Sequence, residues 1–197
     1  MKRHLKNTLV AGLISAVFAL PALAALKEGD AAPDFSTQAS IAGKAFAFSL
    51  QDALKKGPTV VYFYPSAYTA GCNIQAHTFA VNLDKFTQAG VSVVGVSLDS
   101  IERLNAFSAD PDYCGGKFPV ASDVGGNIAK SYDLAIRQIA AGRKDTRGVD
   151  IDHDATERTT FVITPDGKIV ATIGGVSPID NVNKALEIAQ SLAARTH

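Results

Sequence analysis

The chain has 197 residues, with 19 basic and 19 acidic side chains and 47% apolar residues. That is enough for one domain with a substantial core and too little for two comfortable ones. The balanced charge excludes a strongly basic nucleic-acid binder or a protein drawn electrostatically to anionic membrane. Met1 to Asn7 carries Lys2, Arg3 and Lys6 with no acid, Thr8 to Leu20 is apolar and uncharged, and Ala22-Leu23-Ala24 is a small-x-small cleavage site. This pattern predicts a cleavable signal peptide over 1–24 and a mature domain over 25–197. The apolar stretch is short for a bilayer-spanning anchor, and no Cys stands at the cleavage point to take a lipid. Cleavage leaves 16 Lys and Arg against 19 Asp and Glu, a net charge of −3. The expected location is the bacterial periplasm, with no nucleic acid and no stable membrane association.

Ala25 to Asp34 reads as polar and irregular. Phe46, Phe48 and Leu50 alternate with Ala47 and Ser49, the period of a half-buried strand. Ser49 and Asp52 have capping-box spacing for a short helix that Gly57-Pro58 stops. Thr59 to Tyr64 is a continuous β-branched and aromatic run, as in a central strand buried on both faces. A helix follows from Cys72 to Ala89, with Ile74, Phe79, Leu83 and Phe86 as its apolar stripe and Gly90 at its C-terminal end. Val91 to Leu98 reads as a second buried strand, parallel to the first because a helix connects them. Asp99 and Glu102 are spaced as a capping box for a helix through Phe107. Phe118 to Ala121 is a short third strand and Gly126 to Tyr132 a short helix. Thr159 to Ile163 and Lys168 to Ile173, joined by Thr164-Pro165-Asp166-Gly167, form a hairpin. A last helix begins at Ser177-Pro178, with Ile179, Val182, Leu186 and Ala189 on its buried face.

Two cysteines remain in the mature chain, Cys72 and Cys114. In a compartment that permits disulfides, an even count reads first as one structural staple, although a core this large does not need one. Cys72 has a second reading. It lies in the first turn of a helix, where free backbone N–H groups and the positive dipole end favour a thiolate over a thiol.

Pro65-Ser66-Ala67-Tyr68-Thr69-Ala70-Gly71-Cys72, directly after a buried strand, is the P-x-x-x-T-x-x-C pattern of the peroxiredoxins (AhpC/TSA type), which this chain resembles. The likeness extends over most of the mature chain. It takes in Gly29 with Ala32-Pro33-Asp34-Phe35, Tyr62-Phe63-Tyr64-Pro65, Phe118-Pro119 with Ser122-Asp123, and Arg158 to Lys168, where an Arg opens the strand before a D-G-K turn. The pattern is most like that of the bacterioferritin-comigratory-protein (PrxQ) branch.

The resemblance implies an α/β, thioredoxin-like fold, a central mixed β-sheet flanked by helices, with an added N-terminal hairpin region. It implies a thiol peroxidase that reduces hydrogen peroxide or small organic hydroperoxides, with no cofactor and no metal. Cys72 would attack one oxygen of the O–O bond, Thr69 would aim its hydroxyl at the peroxide, and Pro65 would wall the sulfur from water without an N–H of its own. Arg158 would point at Cys72, favouring its charge and that of the departing oxygen. Gln75, three residues after Cys72, stands where many relatives order that Arg.

Many members of the branch carry a second Cys five residues after the first, where this chain has His77. The remaining internal candidate for resolving a Cys72 sulfenic acid is Cys114, in the Gly- and Pro-rich stretch Asp110 to Gly116. The alternative is a one-Cys mechanism served by an external thiol or thioredoxin-like reductant. From another class, a non-enzymatic exported thioredoxin-fold binding protein with a structural Cys72–Cys114 disulfide stays open. A thiol-disulfide reductase lacks its C-x-x-C, since Cys72-Asn73-Ile74-Gln75 has only one Cys. Asp150 to Asp154 resembles the start of a calcium loop, but Ala155 and Phe161 stand where such a loop needs Gly and Glu, so a solvated loop is expected. The protomer is expected as a monomer or homodimer.

Overall fold

The computed structural model describes residues 24–195. The leader read from residues 1–24 thus lies outside the described residues apart from Ala24. Seven strands form one mixed sheet in the order β2-β1-β5-β4-β3-β8-β9. These are β1 (Ser36–Ile41), β2 (Lys44–Ser49), β3 (Thr59–Phe63), β4 (Ser92–Ser97), β5 (Val120–Ser122), β8 (Thr159–Ile163) and β9 (Ile169–Gly174). β3 is central, parallel to β4 and antiparallel to β8, with Tyr62 opposite Gly95 and Phe63 opposite Thr159. Every residue of β3 is buried. That is why its sequence runs apolar without alternation, as the reading from Thr59 to Tyr64 expected.

Alternation nevertheless sorts the core. Val60 and Tyr62 join one apolar layer with α2 (Ala70–Gln88), α3 (Ile101–Ala109) and α5 (Pro178–Arg195). Val61 and Phe63 join the opposite layer with α1 (Leu50–Leu54) and α4 (Asn127–Ser131). The first layer is rich in rings: Tyr62 stacks on Tyr64 and on Phe79 at centroid separations of 5.3 and 4.5 Å. Gly95 makes room for this stack, because a Cβ there would lie 2.6 Å from the Tyr62 ring. The N-terminal hairpin β1–β2 closes the sheet beyond β5.

Three local expectations are corrected. Ile74 and Ile179, each placed on a buried stripe, are 46% and 51% exposed, and the buried faces of α2 and α5 instead include Gln75 and Asn181. Asp99 does not cap α3; Ser100 does, its hydroxyl accepting from the Arg103 N–H. Phe46 lies on the exposed side of edge strand β2, so only Phe48 and Leu50 of that trio enter the core. Beyond α4, a small two-stranded ribbon of β6 (Ile136–Arg137) and β7 (Ala155–Thr156) closes the base of a long connection.

Candidate active site

The chain leaves β3 at Phe63 and turns through Pro65 to Thr69 before α2 begins. Tyr68 takes a left-handed backbone at φ 61°. Thr69 occupies the N-cap position without capping: its hydroxyl donates 2.8 Å back to the Ser66 carbonyl, which commits its proton and leaves its oxygen able to accept. The N–H groups of Cys72 and Asn73 both return to the Thr69 carbonyl, at 2.9 and 2.8 Å. Cys72 therefore sits in the first turn, only 1% exposed, at the positive end of a 19-residue helix.

Arg158 directly precedes β8 and is delivered to the same spot because β8 pairs with β3. One guanidinium nitrogen lies 3.4 Å from the Cys72 Sγ and another donates to Gln75 Oε1. Gln75 in turn donates to Asn181 Oδ1 at 2.9 Å, and Thr160 donates to the same oxygen at 2.5 Å. The Asn181 amide ends on the Ile173 carbonyl at 3.0 Å. This buried chain from α5 and β8 fixes the fork of Arg158. Gly71 permits the approach, since a Cβ there would stand 3.1 Å from the guanidinium. Of the residues singled out from the sequence, Arg158 and Gln75 meet at Cys72 and Thr69 accepts the Cys72 N–H through its carbonyl, while Asn181 and Gly71 carried no signal in the sequence.

A second network holds the loop from below. Asp99, just beyond β4, accepts from the Ala67 N–H at 2.8 Å, from Ser66 at 3.0 Å and from Ser97 at 2.6 Å. Arg103 pairs with Asp99 at 2.8 Å and donates to the Ala67 carbonyl at 2.9 Å. His153, which reads as part of a solvated loop, reaches in: Nε2 lies 2.8 Å from Asp99 and Nδ1 lies 2.7 Å from the Asp154 carbonyl. Both ring nitrogens thus face acceptors, which only the imidazolium satisfies fully.

Burial opposes charge on His153, but the Asp99 hydrogen bond and charge outweigh it and hold the ring above its ordinary pKa. Burial likewise opposes ionisation of Asp99, and His153, Ser97 and the Ala67 N–H reverse that and hold the carboxyl below its usual range. A group with a raised folded pKa stabilises fully below its unfolded value, about 6.5 for His, and loses that contribution as pH climbs through the raised value. Asp99 contributes above its ordinary value near 4 and loses its part as pH falls below it. The stability advantage of wild type over His153→Gln should therefore shrink as pH rises above about 6.5. Denaturant unfolding across that range measures it, and a flat difference would show that the pair does not titrate with folding.

Cys114 follows α3 in a run of tight turns and is fully buried in the same apolar layer as Cys72. Burial first, and the nearby Asp110 carboxylate second, push its thiol well above the ordinary range. Two tethers tie its segment to α2. His77 Nδ1 lies 3.0 Å from the Asp112 carbonyl, and Lys117 Nζ donates to the Ala80 carbonyl at 3.0 Å. Both cysteines are free, so the structural Cys72–Cys114 staple is absent from the fold. Cys72 is engaged by Arg158 instead. The Gly- and Pro-rich stretch around Cys114 is packed and tethered. Asp150, at the start of the calcium-like stretch, pairs with Lys144 at 2.7 Å.

The AhpC/TSA family model matches residues 28–172, which include the whole constellation from Pro65 to Arg158. The chain belongs to the AhpC/TSA family of peroxiredoxins. Peroxiredoxin Bcp of Escherichia coli is 33% identical over 144 residues, 73% of this chain and 83% of that protein. Among solved structures, peroxidoxin BcpB of Mycobacterium tuberculosis superposes with a TM-score of 0.69 at 27% identity, over 84% of this chain and 97% of that one. The bacterioferritin comigratory protein of Xanthomonas campestris, studied for its alkyl peroxide reduction activity, gives a TM-score of 0.63 at 27% identity, over 79% and 91% of the two chains. These likenesses span the thioredoxin-like fold. This peroxiredoxin carries His77 at the helix position where the PrxQ resemblance sets a second cysteine, so that position here holds the Cys114 segment rather than a thiol.

Proposed function

We propose that this peroxiredoxin is a thiol peroxidase acting through Cys72. The observation that carries the reading is the 3.4 Å approach of the Arg158 guanidinium to a sulfur in the first turn of α2, the helix that Thr69 precedes at the N-cap position. In the first step the Cys72 thiolate attacks the terminal oxygen of R–O–O–H. The S–O bond forms as the O–O bond breaks, sulfur is oxidised by two electrons to a sulfenic acid, and RO⁻ departs to take a proton from solvent. Thr69 accepts the hydrogen bond of the peroxide O–H and so sets which oxygen meets sulfur. Arg158 donates to the oxygen on which charge develops, the kind of oriented electrostatic support that counts most in a water-poor site. The relatives' names and the alkyl peroxide activity of the Xanthomonas protein support hydrogen peroxide and organic hydroperoxides as substrates.

In the second step we assign Cys114 as the resolving thiol. Its sulfur displaces hydroxide from the sulfenic acid, which leaves as water with the thiol proton, and an external dithiol of thioredoxin-like chemistry reduces the resulting disulfide. The shared apolar layer supports this pairing, and the tethers from His77 and Lys117 mean that the segment opens before the sulfurs meet. One equivalent of peroxide should yield a Cys72–Cys114 peptide by mass spectrometry, reversible with a small dithiol. Cys114→Ala, which keeps the site apolar, should retain the first oxidation, accumulate sulfenic acid and over-oxidise at high peroxide. Wild-type turnover in that variant with several reductants, and no such peptide in wild type, would leave Cys72 working with an external thiol alone. The basic, uncharged-apolar and small-residue pattern over 1–24 further supports export of the mature chain to the periplasm, which cell fractionation with N-terminal sequencing tests.

A further inference from the structure

The connection between β6 and β7 plays no part in the cycle above, yet it is built onto the Cys72 loop. Asp145, its side chain fully buried, pairs with Arg103 at 2.8 Å and Arg147 at 2.9 Å. Thr146 donates to the Tyr68 carbonyl through both its N–H and its hydroxyl, at 2.9 and 2.8 Å. The same connection delivers His153, with its side chain 14% exposed, to an Asp99 carboxylate that has no exposure at all.

Ser66 is where this pair meets the site. Its hydroxyl donates 3.0 Å to Asp99 Oδ1, the oxygen that also faces His153 Nε2, and lies 3.4 Å from that nitrogen. Its carbonyl accepts the Thr69 hydroxyl at 2.8 Å. The next residue, Ala67, gives its N–H to the other Asp99 oxygen at 2.8 Å. A path of hydrogen bonds thus runs from His153 through Asp99 and Ser66 to Thr69, and it ends on the hydroxyl assigned above to the peroxide.

Charge on the ring decides the state of the joint at Ser66. The imidazolium donates from Nε2 to Asp99 and from Nδ1 to the Asp154 carbonyl, so Nε2 offers the Ser66 hydroxyl no lone pair. In the neutral ring one nitrogen keeps its proton and the other becomes an acceptor. With the proton kept at Nδ1, the Nε2 lone pair repels the carboxylate and draws the Ser66 hydroxyl instead. The other charged groups about the ring are Asp99 and Arg103, themselves paired, and Lys130, Asp152 and Asp154, which share a hollow with it. None is of a type that ordinarily titrates between about pH 6 and 9, as His does.

We propose that His153 is a positioning residue for peroxide reduction: its imidazolium keeps Ser66 bonded to Asp99, and Ser66 keeps Thr69 set for the peroxide. Loss of the ring proton turns the Ser66 hydroxyl toward Nε2, and the carbonyl that holds Thr69 shifts with it. The Asp99 hydrogen bond and charge delay that loss beyond the ordinary His value. The proposal rests on the thiol-peroxidase reading and adds a control of that site by pH.

The test is the second-order rate of Cys72 oxidation by hydrogen peroxide, followed by stopped flow from about pH 6 to 9 at fixed ionic strength. Wild type is compared with His153→Gln, Ser66→Ala and the double variant, and each ratio cancels the pH dependence that Cys72 imposes on both proteins. Wild type should be about tenfold faster than either single variant near pH 6, the scale of a modest misplacement. Both ratios should fall toward one at the alkaline end, with a midpoint that matches the His153 ring titration seen by NMR. The double variant should be no slower than the singles, because both cut one path. Ser66→Ala keeps the imidazole beside the carboxylate, so its unfolding stability should retain the pH dependence that its rate has lost, which a merely structural role would not produce. Ratios flat with pH, a midpoint away from the ring titration, or additive losses in the double variant would overturn the positioning role and leave the peroxidase standing. Should His153→Gln fail to fold, the Ser66→Ala profile set against the ring titration decides alone. Failure of wild type to react with hydrogen peroxide at any pH would overturn both.

Discussion

Cys72→Ser should lower peroxide consumption by at least about a thousandfold, with the fold retained. The substitution is nearly isosteric at a buried position, so the loop, α2 and the Arg158 fork keep their places. What changes is the chemistry. A thiol can be brought to its anion beside a cation and a helix N-terminus, whereas a Ser hydroxyl in the same field stays protonated and cannot attack an O–O bond. Peroxide loss in the presence of a dithiol, read beside a thermal unfolding curve, measures both halves of the prediction. Turnover within about tenfold of wild type in a folded variant would move the chemistry away from Cys72.

The second large effect belongs to Arg158. Arg158→Ala should slow the first oxidation of Cys72 by about 100-fold to 1,000-fold, because the attacking sulfur and the departing oxygen both lose their only adjacent described cation. Arg158→Lys should recover little. The fork spans Cys72 and Gln75 at once, and a single ammonium cannot do so. Gln75→Leu and Asn181→Leu, which leave the guanidinium present but unguided, should fall between the two in single-turnover rate. Stopped-flow oxidation of the protein by a small excess of hydrogen peroxide separates these cases. Equal rates for wild type and Arg158→Ala would reduce the residue to a structural partner of Gln75.

The contrast between what could and could not be read ahead follows from where each interaction lies along the chain. Pro65, Thr69 and Cys72 are within one loop and one helical turn, so covalent spacing alone brings them together. Arg158 was legible because a strand and a D-G-K turn mark its place. Asn181 was not: it sits 106 residues from Gln75, and as an isolated polar residue on α5 it looks like any solvated one. Gln75 and Ile74 exchange the faces that hydrophobic periodicity assigns, because the active site needs a polar relay inside and leaves the Ile outside. Asp99 mimics a helix cap by its spacing while it serves the Ala67 N–H, an interaction visible only once β4 and β3 lie side by side. The β6–β7 connection has neither period nor motif, and its order comes from Asp145 and Thr146 gripping a distant loop.

The tethers on the Cys114 segment turn a matter of packing into a clock. On the proposed resolution by Cys114, a sulfenic acid on Cys72 waits for its partner while His77 and Lys117 hold the segment against α2, and its lifetime then follows how often that patch of fold lets go. During that interval a second peroxide competes for the same sulfur. On the same proposal, the oxidant dose at which the protein is lost to sulfinic acid depends on the local stability of a helix-to-strand turn, and loosening the single hydrogen bond to the Asp112 carbonyl should make the protein more durable under oxidative load.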